Sequence, residues 1–311
     1  MVAMHETGTG GAPHDHEASG GRPRVAFVGA GHVGTALAVA FARAGWPVSA
    51  VASRDEARRA EFTVRVPGSH AFADAGAVLE SADVIFLTVP DDALAGLAVE
   101  LQLYSGQALV HTSGAAAASV LQPAMAAGTL LGSFHPLVAF ADLERALAAL
   151  PGATIALEGD EQLLPLLADL AESIGARPVR LPAGTKTAYH AAASMAAGGL
   201  IALLAGIARV AAETGFDEPT ALSIYLPLAR QAMANAESLG VGAALTGPVL
   251  RGDAGTLADH LAFIRRHAPE VLPLYVELSR GELEIARQRG SLDDRQLVEL
   301  ARLLTPDADS D

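Results

Sequence analysis

The stretch from Arg24 to Val48, RVAFVGAGHVGTALAVAFARAGWPV, constrains the fold more than any other part of the chain. An apolar run, Val25 to Val28, meets Gly29-Ala30-Gly31-His32-Val33-Gly34. Apolar residues then recur at Val33, Ala36, Leu37, Ala40, Phe41 and Ala44, the spacing of one helix face. Strand, glycine turn and helix in that order form the context in which G-x-G-x-x-G signals a dinucleotide site. Gly29 allows the tight turn, Gly31 lets the backbone approach a pyrophosphate, and Gly34 lets the helix pack close to the strand. The turn from Gly29 through Gly31, His32, Val33 and Gly34 is therefore the expected cofactor cradle, with free helix N–H groups aimed at phosphate.

A second strand is expected at Val48 to Ala52, followed by Ser53-Arg54-Asp55. In such folds an acidic residue here holds the ribose of NAD, whereas an Arg accommodates the 2′-phosphate of NADP. Ser53 and Arg54 favour NADP; Asp55 leaves NAD as the less favoured alternative. The run Val84 to Val89 reads as a central parallel strand buried on both faces, stopped by Pro90. Val89 and Pro90 join the expected cofactor contacts. Further strands are expected at Ala108–His111, Leu130–Ser133 and Ala153–Leu157. The first half, residues 24–182, is thus an α/β Rossmann domain with a parallel sheet, and ligands of such sheets bind beyond the carboxyl ends of the strands.

After Pro182 no strand pattern remains. A run rich in Ala, Gly and Leu from Ala183 to Thr214 is apolar enough to suggest a membrane span, but Lys186 and Arg209 bracket it and His190 lies within it. It reads instead as the buried helix of a soluble protein, whose small residues allow close helix approach. Helical spacing continues at Glu218–Leu239, Gly255–His267, Pro269–Arg289 and Leu292–Leu304, which makes residues 183–304 an all-α domain.

Composition excludes several classes. With no cysteine there is no disulfide and no thiolate chemistry. A net charge of −14 argues against nucleic acid, whose binding rests on Lys and Arg neutralising phosphates. Residues 1–23 are Gly-, His- and acid-rich and lack a signal peptide's apolar core, so they read as a disordered tail, and 305–311 as a second one. A cytoplasmic location is expected. The histidines of the folded part lack metal-ligand spacing, so no metal site is expected.

Four clusters could carry chemistry. Lys186 and His190, four apart with Tyr189 between, project from one helix face and would depress each other's pKa, which suits acid–base work. Either they are catalytic, or one is a solvated Lys and the other a packed His. His135, in Gly132-Ser133-Phe134-His135-Pro136, could line the site or satisfy a buried carbonyl. Ser113, after His111-Thr112, could bond a substrate carboxylate or the nicotinamide amide, or simply make a turn. Arg251 could clamp an anionic substrate, while Asp253 could cap the following helix.

Taken together, the glycine turn, VPDDA, HTSGA, GSFHPL, K-x-x-YHAAA and LTGPVLRGD resemble the Rossmann-like oxidoreductases that carry a C-terminal domain of unknown function 2520. They lie within the wider superfamily of 6-phosphogluconate and 3-hydroxyacid dehydrogenases and ketopantoate reductase. The resemblance implies an NADP-binding domain, a helical C-terminal domain and a homodimer built through its helices. Hydroxyacid dehydrogenases of that superfamily carry a catalytic Lys followed four residues later by Asn. The pattern implies Lys186 as the general acid or base, with His190 where Asn is usual and Gly198 as a second departure. The resulting expectation is an NADP-dependent oxidoreductase acting on a small carboxylate-bearing C=O, C–OH or C=N compound. The alternative is a non-catalytic NADP-binding sensor or scaffold.

Overall fold

A computed structural model describes residues 21–126 and 128–305. Most of the two expected tails, with His5, His14 and His16, lies outside the described residues. The chain divides into two compact units between Ala193 and Ser194, inside the long apolar helix rather than at Pro182.

In the first unit the elements run β1 (Val25–Val28), α1 (His32–Arg43), β2 (Val48–Ala52), α2 (Glu56–Arg65), β3 (His70–Phe72), β4 (Val84–Leu87), α3 (Asp91–Glu100), β5 (Ala108–His111), β6 (Leu130–Pro136), α4 (Leu143–Ala149), β7 (Thr154–Gly159), α5 (Leu164–Ser173), β8 (Arg177–Arg180) and α6 (Lys186–Ser194). The strands form one sheet in the order β3-β2-β1-β4-β5-β6-β7-β8. Pairing is parallel except between β6 and β7, which run antiparallel. The sheet is thus mixed, and β3 and β8 extend it beyond the expected strands. Neither carried a readable signal: β3 has three residues, and β8 (RPVR) contains Pro178 and two arginines. A proline is tolerated in β8 because it is an edge strand.

Successive residues of β1 and β4 point to opposite faces, and both faces are covered. On one side Phe27, Phe41, Phe62, Phe86 and Phe134 cluster, with the Phe27 and Phe86 rings stacked at 5.4 Å and Phe86–Phe134 edge to face at 5.5 Å. On the other side Ile85, Leu87, Leu109, Leu121 and Leu131 pack together. Burial on both faces is what demands the continuous apolar runs. The strand order reverses between β1 and β4, so their carboxyl ends open the crevice where such sheets bind ligands.

The second unit is helical: α7 (Leu200–Ala211), α8 (Glu218–Leu239), α9 (Val241–Ala244), α10 (Ala254–His267), α11 (Leu272–Arg289) and α12 (Asp294–Leu303). Its core gathers Val249, Leu257, Leu261, Leu300 and Leu304. Asp217, Asp253 and Asp293 cap α8, α10 and α12 through the N–H groups of Thr220, Thr256 and Gln296. Between α6 and α7 the ladder widens into a π-helical turn, Met195–Gly199, which contains Gly198. The expectation of a buried helix is corrected here. The continuous helix Lys186–Thr214 is long and apolar enough to cross a membrane, and none of its most apolar window is buried within the chain. Met195 is 76% and Ile201 66% exposed, and on α8 Leu228 is 64% exposed. Small residues let α7 pack on α8, where Ala208 and Ala211 meet Ala221 and Tyr225, while Ile201 stays outside that contact.

Candidate active site

The glycine turn is held by its neighbours in the sheet. Gly29 N–H donates to the Ala52 carbonyl at 2.8 Å, and Thr88 binds it from β4, its N–H donating to Val28 O and its hydroxyl to Gly29 O, each at 2.8 Å. Gly29 has φ +110°, and a Cβ there would stand 2.3 Å from Thr88 O; one at Gly34 would stand 2.4 Å from both Gly29 O and Thr88 Oγ1. These two glycines are required by the packing itself. Gly31 differs. It caps α1 in extended backbone, and a Cβ there would meet nothing within 4 Å. The space before the helix N-terminus is open, as a pyrophosphate would need. His32 Nδ1–H donates to Phe140 O at 2.9 Å, which anchors the first residue of α1 to the β6–α4 loop, and Val33 packs half-buried behind it.

At the tip of β2, Arg54 is exposed and no carboxylate among the described residues pairs with it. Asp55 is committed elsewhere. It caps α2 by accepting from Arg58 N–H at 3.1 Å, and it faces the Arg58 guanidinium at 3.5 Å. Arg59 donates to the Ser53 carbonyl. Arg54 is thus left exposed beside Ser53, and a guanidinium there suits a phosphate better than a ribose hydroxyl pair. Val89 and Pro90 follow β4, and Pro90 itself, not an aspartate side chain, stands at the N-cap of α3.

Where the carboxyl end of β5 meets Ser133 of β6 and Glu158 of β7, a polar cluster forms around Lys186. It is the only lysine in the 311-residue chain, a signal legible in the sequence itself. Lys186 is 4% exposed, although long charged side chains are almost never so buried without a partner. Its Nζ donates to Ser133 Oγ and lies 3.7 Å from Glu158 Oε2. Burial pushes its pKa down to about 8, opposed mainly by Glu158 and more weakly by Asp91. Burial, rather than an adjacent imidazolium, is the chief cause of this depression. Glu158 Oε2 has no hydrogen-bond partner, and at 3.7 Å its attraction to Lys186 is that of an ion pair. Glu158 was missed in the sequence because one glutamate near a strand end carries no pattern.

The histidines gather on the same end. His135 Nδ1 and Tyr189 Oη are hydrogen-bonded at 3.0 Å, and the His135 and His190 rings lie edge to face at 5.8 Å. An alanine methyl at Gly114 would stand 2.3 Å from His190 Nδ1 and 2.6 Å from His135 Nε2, so the bare backbone of HTSGA makes room for both rings. His190 Nδ1 is buried without a hydrogen-bond partner. Burial first, then the charge of Lys186, holds His135 down to about 4 and His111 down to about 3, so both are neutral at neutral pH. His111 accepts from Ser113 N–H at Nδ1 and donates from Nε2 to Ala117 O. Ser113 Oγ accepts from the N–H groups of Ala115 and Ala116 at 3.2 and 2.9 Å, which makes it the organiser of its own turn. Lys186, His190, His135 and Ser113 therefore belong to one unit. Arg251 belongs to the other, exposed at the short turn Val249–Arg251 before Gly252.

Two family models match the chain, a Rossmann-like domain over residues 10–136 and a domain of unknown function 2520 over residues 153–281. No curated protein sequence matches significantly. Among solved structures, protein TM1727 from Thermotoga maritima is 28% identical, with a TM-score of 0.67 over 85% of this chain and 99% of its own. A reductive aminase from Aspergillus terreus, solved with NADPH and ethyl-5-oxohexanoate, is 19% identical with a TM-score of 0.66 over 91% of this chain and all of its own, 100%. The 1-pyrroline-5-carboxylate reductase of Streptococcus pyogenes is 14% identical with a TM-score of 0.61 over 87% of this chain and 99% of its own. The last two similarities are of fold. The chain thus combines a Rossmann-like domain, with its glycine turn and mixed sheet, and a C-terminal match to domain of unknown function 2520.

Proposed function

We propose that this protein is an NADP-dependent oxidoreductase that transfers a hydride to or from the carbon of a small C=N, C=O or C–OH substrate, with Lys186 handling the proton. The observation that carries this reading is the chain's single lysine, buried at the carboxyl edge of the sheet that bears the glycine cradle. Gly29, Gly31 and Gly34 would hold the pyrophosphate, and Ser53 and Arg54 the 2′-phosphate. NADPH, when bound, supplies the hydride. In the reductive direction the Lys186 ammonium gives a proton to the substrate nitrogen or oxygen, and a pKa of about 8 suits that exchange near neutrality. Neutral His135 and its hydrogen-bonded partner Tyr189 line the same cluster, with the His190 ring edge to face against His135.

Around Lys186 the charged groups are the carboxylates Glu158 and Asp91, with His111 and His135 neutral. That surplus of negative charge favours a reacting end that is neutral and gains positive charge as it reacts, such as an imine nitrogen protonated by Lys186, over an anion. It agrees with the fold shared with a reductive aminase and a pyrroline carboxylate reductase. The exposed apolar face of α7 and α8 is covered by a second copy of the chain, which makes the protein a homodimer; a patch of large apolar side chains on that scale marks an association surface.

Oxidation of NADPH in the presence of a panel of 2-oxo acids, cyclic imines and ketone–amine pairs tests the reading. Turnover with at least one is expected, and Lys186→Met should lower kcat roughly 100- to 10,000-fold while NADPH still binds. Tight NADPH binding with no turnover by any member would favour the sensor alternative.

A further inference from the structure

Ser133 on β6 and Glu158 on β7 are direct cross-strand partners, and His111 on β5 is the partner of Ser133 on the other side. Residues directly opposed across a sheet leave it on the same face, with Cβ atoms about 4.5–5.5 Å apart. The antiparallel turn of the sheet at β7 is what sets a carboxylate in this row. Lys186 enters it from α6, bonded to Ser133 Oγ and 3.7 Å from Glu158 Oε2. His111 spends both ring nitrogens on backbone groups and takes no part in holding the ammonium. An ammonium carries three N–H donors and no acceptor.

We propose that Ser133 and Glu158 are positioning residues for Lys186: the Ser133 hydroxyl takes one of its three N–H donors and the Glu158 carboxylate holds the ammonium by charge at 3.7 Å, which leaves a donor for the reacting nitrogen or oxygen of the substrate. The inference rests on the reading of Lys186 as the proton donor. Glu158 also supplies the charge that keeps a buried ammonium protonated until the substrate arrives. The other groups facing Lys186 do not replace it. Asp91, at the start of α3, is exposed and its field is screened by water; His135 on β6 and His111 on β5 are neutral; Tyr189, on the lysine's own helix, has its hydroxyl pushed up to about 12 by burial. His190, one turn along, presents a ring nitrogen without a hydrogen-bond partner. Among these groups Glu158 is the one carboxylate shielded from solvent, its side chain 18% exposed.

The test uses the fact that the chain has one lysine. Full-length protein labelled with carbon-13 at the lysine ε position gives a single side-chain resonance, whose pH titration reads Lys186 directly, without turnover. The wild-type midpoint is expected near 8. Glu158→Gln, which keeps the shape and removes the charge, should lower it by about 1 to 3 pH units, the effect of losing an opposite charge within a few ångströms. Glu158→Asp should recover part of the loss. Ser133→Ala, the variant safest for folding, should lower kcat on the best substrate about tenfold with KM nearly unchanged, as expected when a proton donor is misplaced by a fraction of an ångström. A midpoint in Glu158→Gln equal to wild type, or full kcat in Ser133→Ala, overturns the proposal. Full activity in Lys186→Met overturns instead the proton-donor reading beneath it, whatever the titration shows.

Discussion

Asp55 closes on Arg58 twice, accepting its backbone N–H at 3.1 Å and facing its guanidinium at 3.5 Å. The aspartate that could have held the ribose of NAD is thereby spent on starting α2, and Arg54 beside it stands free of any carboxylate partner among the described residues. Arg54→Ala should weaken NADPH about 10- to 100-fold, the worth of one charge-assisted hydrogen bond, while NADH binding changes little. Nucleotide titrations followed by nicotinamide fluorescence would decide it. Equal loss for the two cofactors would remove the phosphate assignment.

The two kinds of glycine in the cradle should fail differently. Gly34→Ala forces a methyl within 2.4 Å of Gly29 O and Thr88 Oγ1, so thermal unfolding should move down by several degrees, about 1–3 kcal/mol of overpacking. Gly31→Ala meets open space, so its unfolding temperature should stay near wild type while NADPH affinity falls at least tenfold. Unchanged affinity in Gly31→Ala would mean that the space before α1 is not where the pyrophosphate lies.

Stability should fall on the acid side for a reason separable from catalysis. His111 and His135 have folded pKa values of about 3 and 4, below the 6.5 of the exposed ring. Above pH 6.5 both rings are neutral folded or unfolded, and their contribution is complete. As pH falls from 6.5 toward 3 the unfolded chain takes up protons that the folded one refuses, and stability is lost at up to about 1.4 kcal/mol per pH unit for His111, which is fully buried. Unfolding midpoints measured from pH 7.5 down to about 4 should decline less steeply in His111→Asn than in wild type. Parallel declines would show that other groups govern the acid limb.

The exposed face of α7 and α8 should govern assembly. Ile201→Glu combined with Leu228→Glu places charges on two of its most exposed apolar side chains and should convert a dimer to monomers in sedimentation equilibrium. Co-flotation of the wild-type protein with lipid vesicles, and no self-association, would point to a membrane surface as the partner instead.

What the sequence determined by itself was local or periodic. Strand, glycine turn and helix at Val25–Arg43, the alternating strands of the first half and the helical spacing from Glu218 onward follow from patterns that neighbouring residues share. The cradle glycines and Lys186 were legible for the same reason, as residue types at a recognisable spacing. The tertiary structure decided the rest. Only strand register sets Ser133 opposite Glu158, and only the antiparallel pairing of β7 turns that carboxylate toward Lys186. Ser113, a candidate ligand by composition, became a turn organiser once its oxygen met two backbone N–H groups. The long helix read as core because apolarity reports the wish to be buried, not the surface that satisfies it. Long-range pairs such as Lys186 and Glu158 leave no periodic trace, because the distance between them is set by the whole sheet and not by the residues in between.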